Sequence, residues 1–124
     1  YNALPADLQS AIIDTKVVSG HGKDDTDNFT STDKLYLLEP KEVYGNNGGT
    51  AYSATRQLDY YLAQGVTESN RSVASKQRNG LKYMWWLRTA DSYNYYYFWT
   101  VDDDGRWTYA ASLTSGVSPA FRIA

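Results

Sequence analysis

Trp85-Trp86-Leu87-Arg88-Thr89-Ala90 and Tyr93-Asn94-Tyr95-Tyr96-Tyr97-Phe98-Trp99 stand almost back to back in the second half of a 124-residue chain. Their reading decides the fold. Trp85, Trp86 and Leu87 suit a short core strand, because an indole carries a large buried area. The run from Tyr95 to Val101 is made of good strand formers and predicts a second strand. Arg106 to Ala111 and Val117 to Ile123 predict a third and a fourth. Asp103-Asp104-Gly105 predicts a tight hairpin turn, since Asp-Gly tolerates positive φ. Ser115-Gly116 and Pro119 punctuate the last connection.

Upstream the pattern changes. Leu4 to Ile13 predicts an amphipathic helix, with Leu8, Ala11 and Ile12 at helical spacing and Pro5 suited to its first turn. Gly20 through Lys34 is polar and reads as an exposed loop. Leu35-Tyr36-Leu37-Leu38 predicts a buried strand ended by Pro40, and Lys41-Glu42-Val43-Tyr44 a helical turn stopped by Gly45. Asn46-Asn47-Gly48-Gly49 is a turn. Ala51 to Ala63 predicts a helix closed by Gly65, followed by a polar stretch from Thr67 to Gly80. Helices first and an antiparallel sheet last make an α+β order in one domain, residues 1–124.

Composition narrows the function. Hydrophobic (42%) and charged (21%) contents are ordinary, but 15% aromatic residues with twelve tyrosines is an excess that needs a cause. A net charge of -2 with no cluster of Lys or Arg argues against nucleic acid, which needs a basic stripe. No apolar run is long enough to span a bilayer, so membrane insertion is not expected. The first residue is Tyr1 rather than Met, which suggests that an upstream segment has been removed. The absence of cysteine excludes disulfides and thiol chemistry.

Catalytic and metal chemistry find little to stand on. His21, the single histidine, lies between Gly20 and Gly22 in a polar stretch and has no second His or Cys to share zinc with. Asp102-Asp103-Asp104-Gly105 has the spacing of part of a calcium loop, but Arg106-Trp107 stand where a later bidentate acid is needed. Glu39-Pro40-Lys41 resembles the Glu-Pro-Asn tripeptide of calcium-dependent sugar-binding lectins with a lysine in place of the ligating amide; a helix start with Pro in its first turn explains it more simply. Asn28-Phe29-Thr30 and Asn70-Arg71-Ser72 fit the glycosylation sequon and are assigned no role. No enzyme activity, metal or cofactor is expected.

Taken together, Trp85-Trp86-Leu87-Arg88-Thr89-Ala90, Val101-Asp102-Asp103-Asp104-Gly105 and Gly116-Val117-Ser118-Pro119-Ala120-Phe121-Arg122 closely resemble the signature of the DUF6273 type of domain, found in uncharacterised bacterial and phage proteins. Tyr1 to Leu8 and Thr32 to Leu38 also match its habits, so the resemblance covers nearly the whole chain. It implies a C-type-lectin-like fold, with N-terminal helices packed on a twisted antiparallel sheet. That fold is similar to the one in formylglycine-generating enzymes and in retroelement-diversified proteins, among them phage tail receptor-binding proteins. Without cysteine the chain departs from the enzyme branch, which leaves a binding scaffold.

On that scaffold the run from Tyr93 to Trp99 has the composition of a paratope. Tyrosine gives large contact area at small entropy cost, while Ser92 and Asn94 offer adaptable hydrogen bonds. The expected ligand-binding residues are Ser92, Tyr93, Asn94, Tyr95, Tyr97, Trp99, Trp107 and Tyr109. Side chains alternate along a strand, and Phe98 lacks a polar handle, so Tyr95, Tyr97 and Trp99 are expected outward and Phe98 inward. Val101 falls on the outward side by the same alternation, which is awkward unless a bulge or the turn intervenes. If a retroelement diversified the segment, Tyr93, Asn94, Tyr95, Tyr97 and Tyr109 fit the products of adenine-targeted codons, whereas Trp99 and Trp107 do not. The expected partner is a protein or glycan on a cell surface, met from a phage tail or a bacterial surface, and an oligomer is compatible with this. A carbohydrate-binding module and a purely structural tail domain are the rival readings. The expected core is Trp85, Leu87, Val117, Ala120 and Phe121 with Leu35, Leu37 and Ile12.

Overall fold

The computed structural model describes residues 1–45, 53–92, 97–102, 108–110, 112 and 115–124, and for Tyr109 and Ala110 the backbone alone. Helix α1 (Ala6–Ala11) is shorter than the spacing predicts. Ile12 turns extended and opens β1 (Ile12–Ile13), which pairs antiparallel with β11 (Arg122–Ile123) at the far end of the chain. Two adjacent β-branched residues favour that exchange of helix for ladder.

The expected loop over residues 20–34 also gives way in part to pairing. Strand β2 (Thr15–Ser19) meets β3 (Phe29–Asp33) in a five-pair antiparallel ladder, Thr15 opposite Asp33 and Ser19 opposite Phe29. The alternation of buried Thr15 and Val17 with exposed Lys16 is that of a strand covered on one face. Beyond it, β4 (Tyr36–Leu37) leads into α2 (Pro40–Tyr44), which carries a capping box. Pro40 sits in its first turn, the Glu39 backbone N–H donates to Glu42 Oε1 at 3.0 Å, and Gly45 ends the helix at φ 80°.

Of the helix expected from Ala51 to Ala63, the described residues from 53 onward hold only α3 (Asp59–Ala63). Leu58 is held extended before it, next to Gln57, whose side-chain amide bridges Val43 O at 2.8 Å and Val66 O at 2.9 Å. A 3-10 turn (Arg71–Ala74) follows, and then a hairpin inside the polar stretch, β5 (Lys76–Arg78) with β6 (Leu81–Tyr83). Asn79 and Gly80 connect them at φ 54° and 79°, the positive values a two-residue hairpin needs.

The largest sheet is antiparallel, in the order β7 (Trp85–Ala90), β8 (Tyr97–Val101), β9 (Thr108–Ala110). The Asp103-Asp104-Gly105 turn lies outside the described residues. The fourth expected strand is two short pieces that leave this sheet: β10 (Pro119–Ala120) pairs with β4, and β11 pairs with β1. Proline has no N–H to give a ladder and suits an edge, and Phe121 interrupts the two pieces. The mixed α+β class therefore stands, built from several small antiparallel pairings around one three-stranded sheet.

The core gathers Trp85, Leu87, Trp99 and Val101 from that sheet against Val43, Tyr44, Tyr61 and Val66, with Leu38 and Ala74. Trp85 and Leu87 are where they were expected. Val117 is 68% exposed and Phe121 is also exposed, because the segment carrying them lies along the rim rather than inside. Ala120 packs against the cluster half-buried, Leu35 and Leu37 are half-buried, and Ile12 is buried outside it.

Candidate functional site

Strand β8 changes character along five residues. Trp99, Thr100 and Val101 are buried, whereas Tyr97 and Phe98 are 36% and 37% exposed. The register explains the division. Val101 faces Trp85 and Thr100 faces Trp86, but Ala90 faces Phe98, so β7 holds two extra residues between Trp86 and Ala90. A two-residue excess preserves parity. Trp99 therefore shares the inward face with Val101 and Trp85, and the expectation that Trp99 points outward is corrected. Phe98, expected inside, lies opposite Ala90 and Tyr109 near the end of the sheet and is exposed. Tyr97 has the parity of Trp99 but lies past the edge of the core and stays at the surface.

Among the remaining expected binding residues, Ser92 is half-buried beside Asp91, whose backbone N–H closes on Tyr97 O at 2.9 Å. The backbone of Tyr109 pairs with Phe98. Tyr93, Asn94, Tyr95 and Trp107 lie outside the described residues. The structure thus brings Ser92, Tyr97 and the Tyr109 backbone to one end of the β7-β8-β9 sheet, and adds Phe98, which sequence reasoning placed elsewhere. The cue was Val101: a residue so apolar, at the parity of Trp99, marks the inward side.

Away from this end, toward Trp85 and Val101, the scaffold is pinned by polar contacts. Trp85 Nε1–H donates to Ala74 O at 3.2 Å, and the Lys76 ammonium sits 5.0 Å over the Trp85 ring. Tyr44 O–H donates to Thr100 O at 2.8 Å, and burial pushes its phenol above the ordinary value. Arg88 ties four elements together. Its Nε and Nη2 donate to Val18 O at 3.2 and 3.0 Å, and its Nη1 donates to Leu37 O at 3.0 Å and to the Glu42 carboxylate. The guanidinium fork is what allows one side chain to satisfy three acceptors in a fixed plane. Next to it, fully buried Glu39 accepts a hydrogen bond from Thr89 Oγ1 at 3.2 Å. Burial raises the Glu39 carboxyl from 4.5 to about 7, opposed by the nearby Arg88 charge.

Matching the chain against family models places all of residues 1–124 in a domain of unknown function, DUF6273. The chain belongs to the DUF6273 family. No curated protein and no solved structure matches it. Within this DUF6273 domain, no group of three or more His, Cys, Asp or Glu side chains that could hold a metal occurs among the described residues. His21 is half-buried, with Nδ1 2.8 Å from Gly22 O and its backbone N–H donating to Asn28 Oδ1. Nor is any helix of the described residues long and apolar enough to cross a membrane. What the DUF6273 signature residues do is now visible in part. Trp85 and Leu87 fill the core, Arg88 clamps the N-terminal strands, and Gly116 bonds to both neighbours of Trp85, donating to Met84 O at 2.8 Å and accepting from Trp86 N–H at 3.0 Å.

Proposed function

We propose that this domain is a non-catalytic ligand-binding module that displays aromatic side chains at the end of the β7-β8-β9 sheet. In the finer form of this proposal the fold is C-type-lectin-like. The ligand is then a protein or glycan on a cell surface, met from a phage tail or bacterial surface protein, and the displayed segment is one that a retroelement diversifies. The observation that carries the reading is the abrupt change along β8, from exposed Tyr97 and Phe98 to buried Trp99, Thr100 and Val101. A strand anchored so firmly at one end and aromatic at its open end is a rigid platform for contacts. Adjacent exposed aromatic residues favour interaction over solvation. Tyr93, Asn94 and Tyr95 precede this end in the chain and Trp107 follows it, so the composition of a paratope surrounds it.

The test is a pair of substitutions with opposite consequences. Tyr97→Ala and Phe98→Ala are expected to weaken binding to bacterial cells or to the best glycan on an array by about 1–2 kcal/mol each, as contact aromatics do. Their melting temperatures should stay near that of the wild type. Trp99→Ala should instead destabilise the fold by about 3–5 kcal/mol. If Tyr97→Ala and Phe98→Ala leave every detected interaction unchanged, the sheet end is not the binding surface.

A further inference from the structure

A cleft of about 740 Å³ opens on another part of the molecule, between the β2–β3 hairpin, α2 and the segment leading to α3. Its lining is unusual in charge. Among the described residues, Lys16, Arg56, Arg88 and Arg122 all contribute, against one carboxylate, Glu42. That carboxylate is already committed, since Glu42 Oε1 takes both the Arg88 guanidinium and the Glu39 backbone N–H. Four cations less one acid leave a local excess of three positive charges, in a protein whose net charge is -2. Asp59, which pairs with Arg56 at 3.0 Å, does not line the cleft, and both its side chain and that of Arg56 are largely in solvent. Such a pair is weak and leaves the arginine available.

Two further details locate the centre. Tyr36, half-buried, lines the cleft with the Arg88 guanidinium 6.0 Å over its ring. Burial raises the Tyr36 phenol, while the Arg88 and Arg122 charges act on it in the opposite sense, so both guanidiniums bear on one hydroxyl. Arg88 is spoken for by Val18, Leu37 and Glu42. Arg122, held in place by its backbone pairing with Ile13, makes no ion pair or side-chain hydrogen bond with the described residues, and neither does Lys16 on β2. A concave site concentrates the field of such charges, and this volume suits a ligand the size of a sugar. The geometry points to an oxyanion site: the cleft binds a small polar ligand through a carboxylate or phosphate group, with Arg122 and Lys16 as the free cations and Tyr36 and Thr30 as hydroxyl partners. Tyr97 and Phe98 are not part of its lining, so this site stands or falls apart from the aromatic platform.

Titration of the whole chain with glucuronate and with inorganic phosphate, followed by amide NMR shifts at low ionic strength, tests it. Saturable shifts are expected at Lys16, Thr30 and Arg122 with at least one probe, and the tighter probe identifies the oxyanion. Arg122→Gln and Lys16→Gln should each weaken binding about tenfold or more, the effect of losing one charge-assisted hydrogen bond. Both side chains are at the surface, and Lys16→Gln carries the test if Arg122→Gln disturbs β11. Lys82→Gln on exposed β6 and Tyr97→Ala should bind as the wild type does. The proposal is overturned if neither probe shifts these amides, if both cleft variants bind like the wild type, or if Lys82→Gln weakens binding equally.

Discussion

Glu39 is an ionisable side chain placed where water does not reach it. One carboxyl oxygen takes the Thr89 hydroxyl, while Oε2 has no hydrogen-bond partner among the described residues. With the native carboxyl raised from 4.5 to about 7, the folded protein keeps a proton that the unfolded chain has already released. The native state then binds more protons across that interval, so stability falls as pH rises from about 4.5 to about 7. Below the interval the penalty is absent, and above it is complete. A rise from 4.5 to about 7 corresponds to something on the order of 3 kcal/mol. Urea unfolding at a series of pH values should show this decline, and Glu39→Gln should remove most of it. A wild-type profile that stays flat from pH 4.5 to 7 would mean that Arg88 and Thr89 compensate the charge in full. Little of this can be read from the sequence, where Glu39 stands beside Pro40 as an ordinary helix start. Its burial depends on Thr89, fifty positions away along the chain.

At the level of elements, two glycines with nearly equal backbone angles should behave differently. Gly45 ends α2 at φ 80°, and Gly80 closes the β5–β6 hairpin at φ 79°. A methyl group at Gly80 would meet nothing within 4 Å, whereas one at Gly45 would come within 2.5 Å of Gln57 Oε1. Gly80→Ala is therefore expected to cost about 1 kcal/mol from backbone strain alone. Gly45→Ala should cost at least about 1 kcal/mol more, because it also displaces the amide that bridges Val43 and Val66. Thermal or urea melts of the two variants check the order, and equal losses would show that Gln57 moves aside freely. These elements also show what was legible beforehand. The helical turn before Gly45 and the strand holding Trp85 and Leu87 carry their signals in a few adjacent residues, and they form where those signals lie. The Asn79-Gly80 hairpin carries an equally local signal, hidden by the polar residues that flank it. By contrast, the break of Val117–Ile123 into β10 and β11 is imposed by partners near the other end of the chain. At the candidate site the alternation along β8 is legible in the sequence, but Val101 rather than Phe98 marks the inward side, so the two faces exchange.

For the molecule as a whole, the small ladders make the three-stranded sheet and its core a hub to which the chain's beginning and end are attached separately. Arg88 is the rivet, reaching Val18, Leu37 and Glu42 from β7. The aromatic end of β8 and the basic cleft involve different residues, so either surface can be altered without rebuilding the other. The pairing of β1 with β11 has a mechanical side. Ile12 lies opposite Ile123, and Ala124 N–H donates to Ala11 O at 3.2 Å, so the two ends of this chain leave the ladder together on one side. Tension applied between those ends would load the hydrogen bonds one after another, as a zipper is opened, rather than all at once as in shear. Pulled from both ends with optical tweezers, the protein should first yield at low force, releasing roughly a dozen residues, on the order of 40 Å of chain. The core should hold until a second, higher rupture, and a single-step release of the full length would contradict this. A domain so arranged gives way at its tether while the sheet end remains assembled.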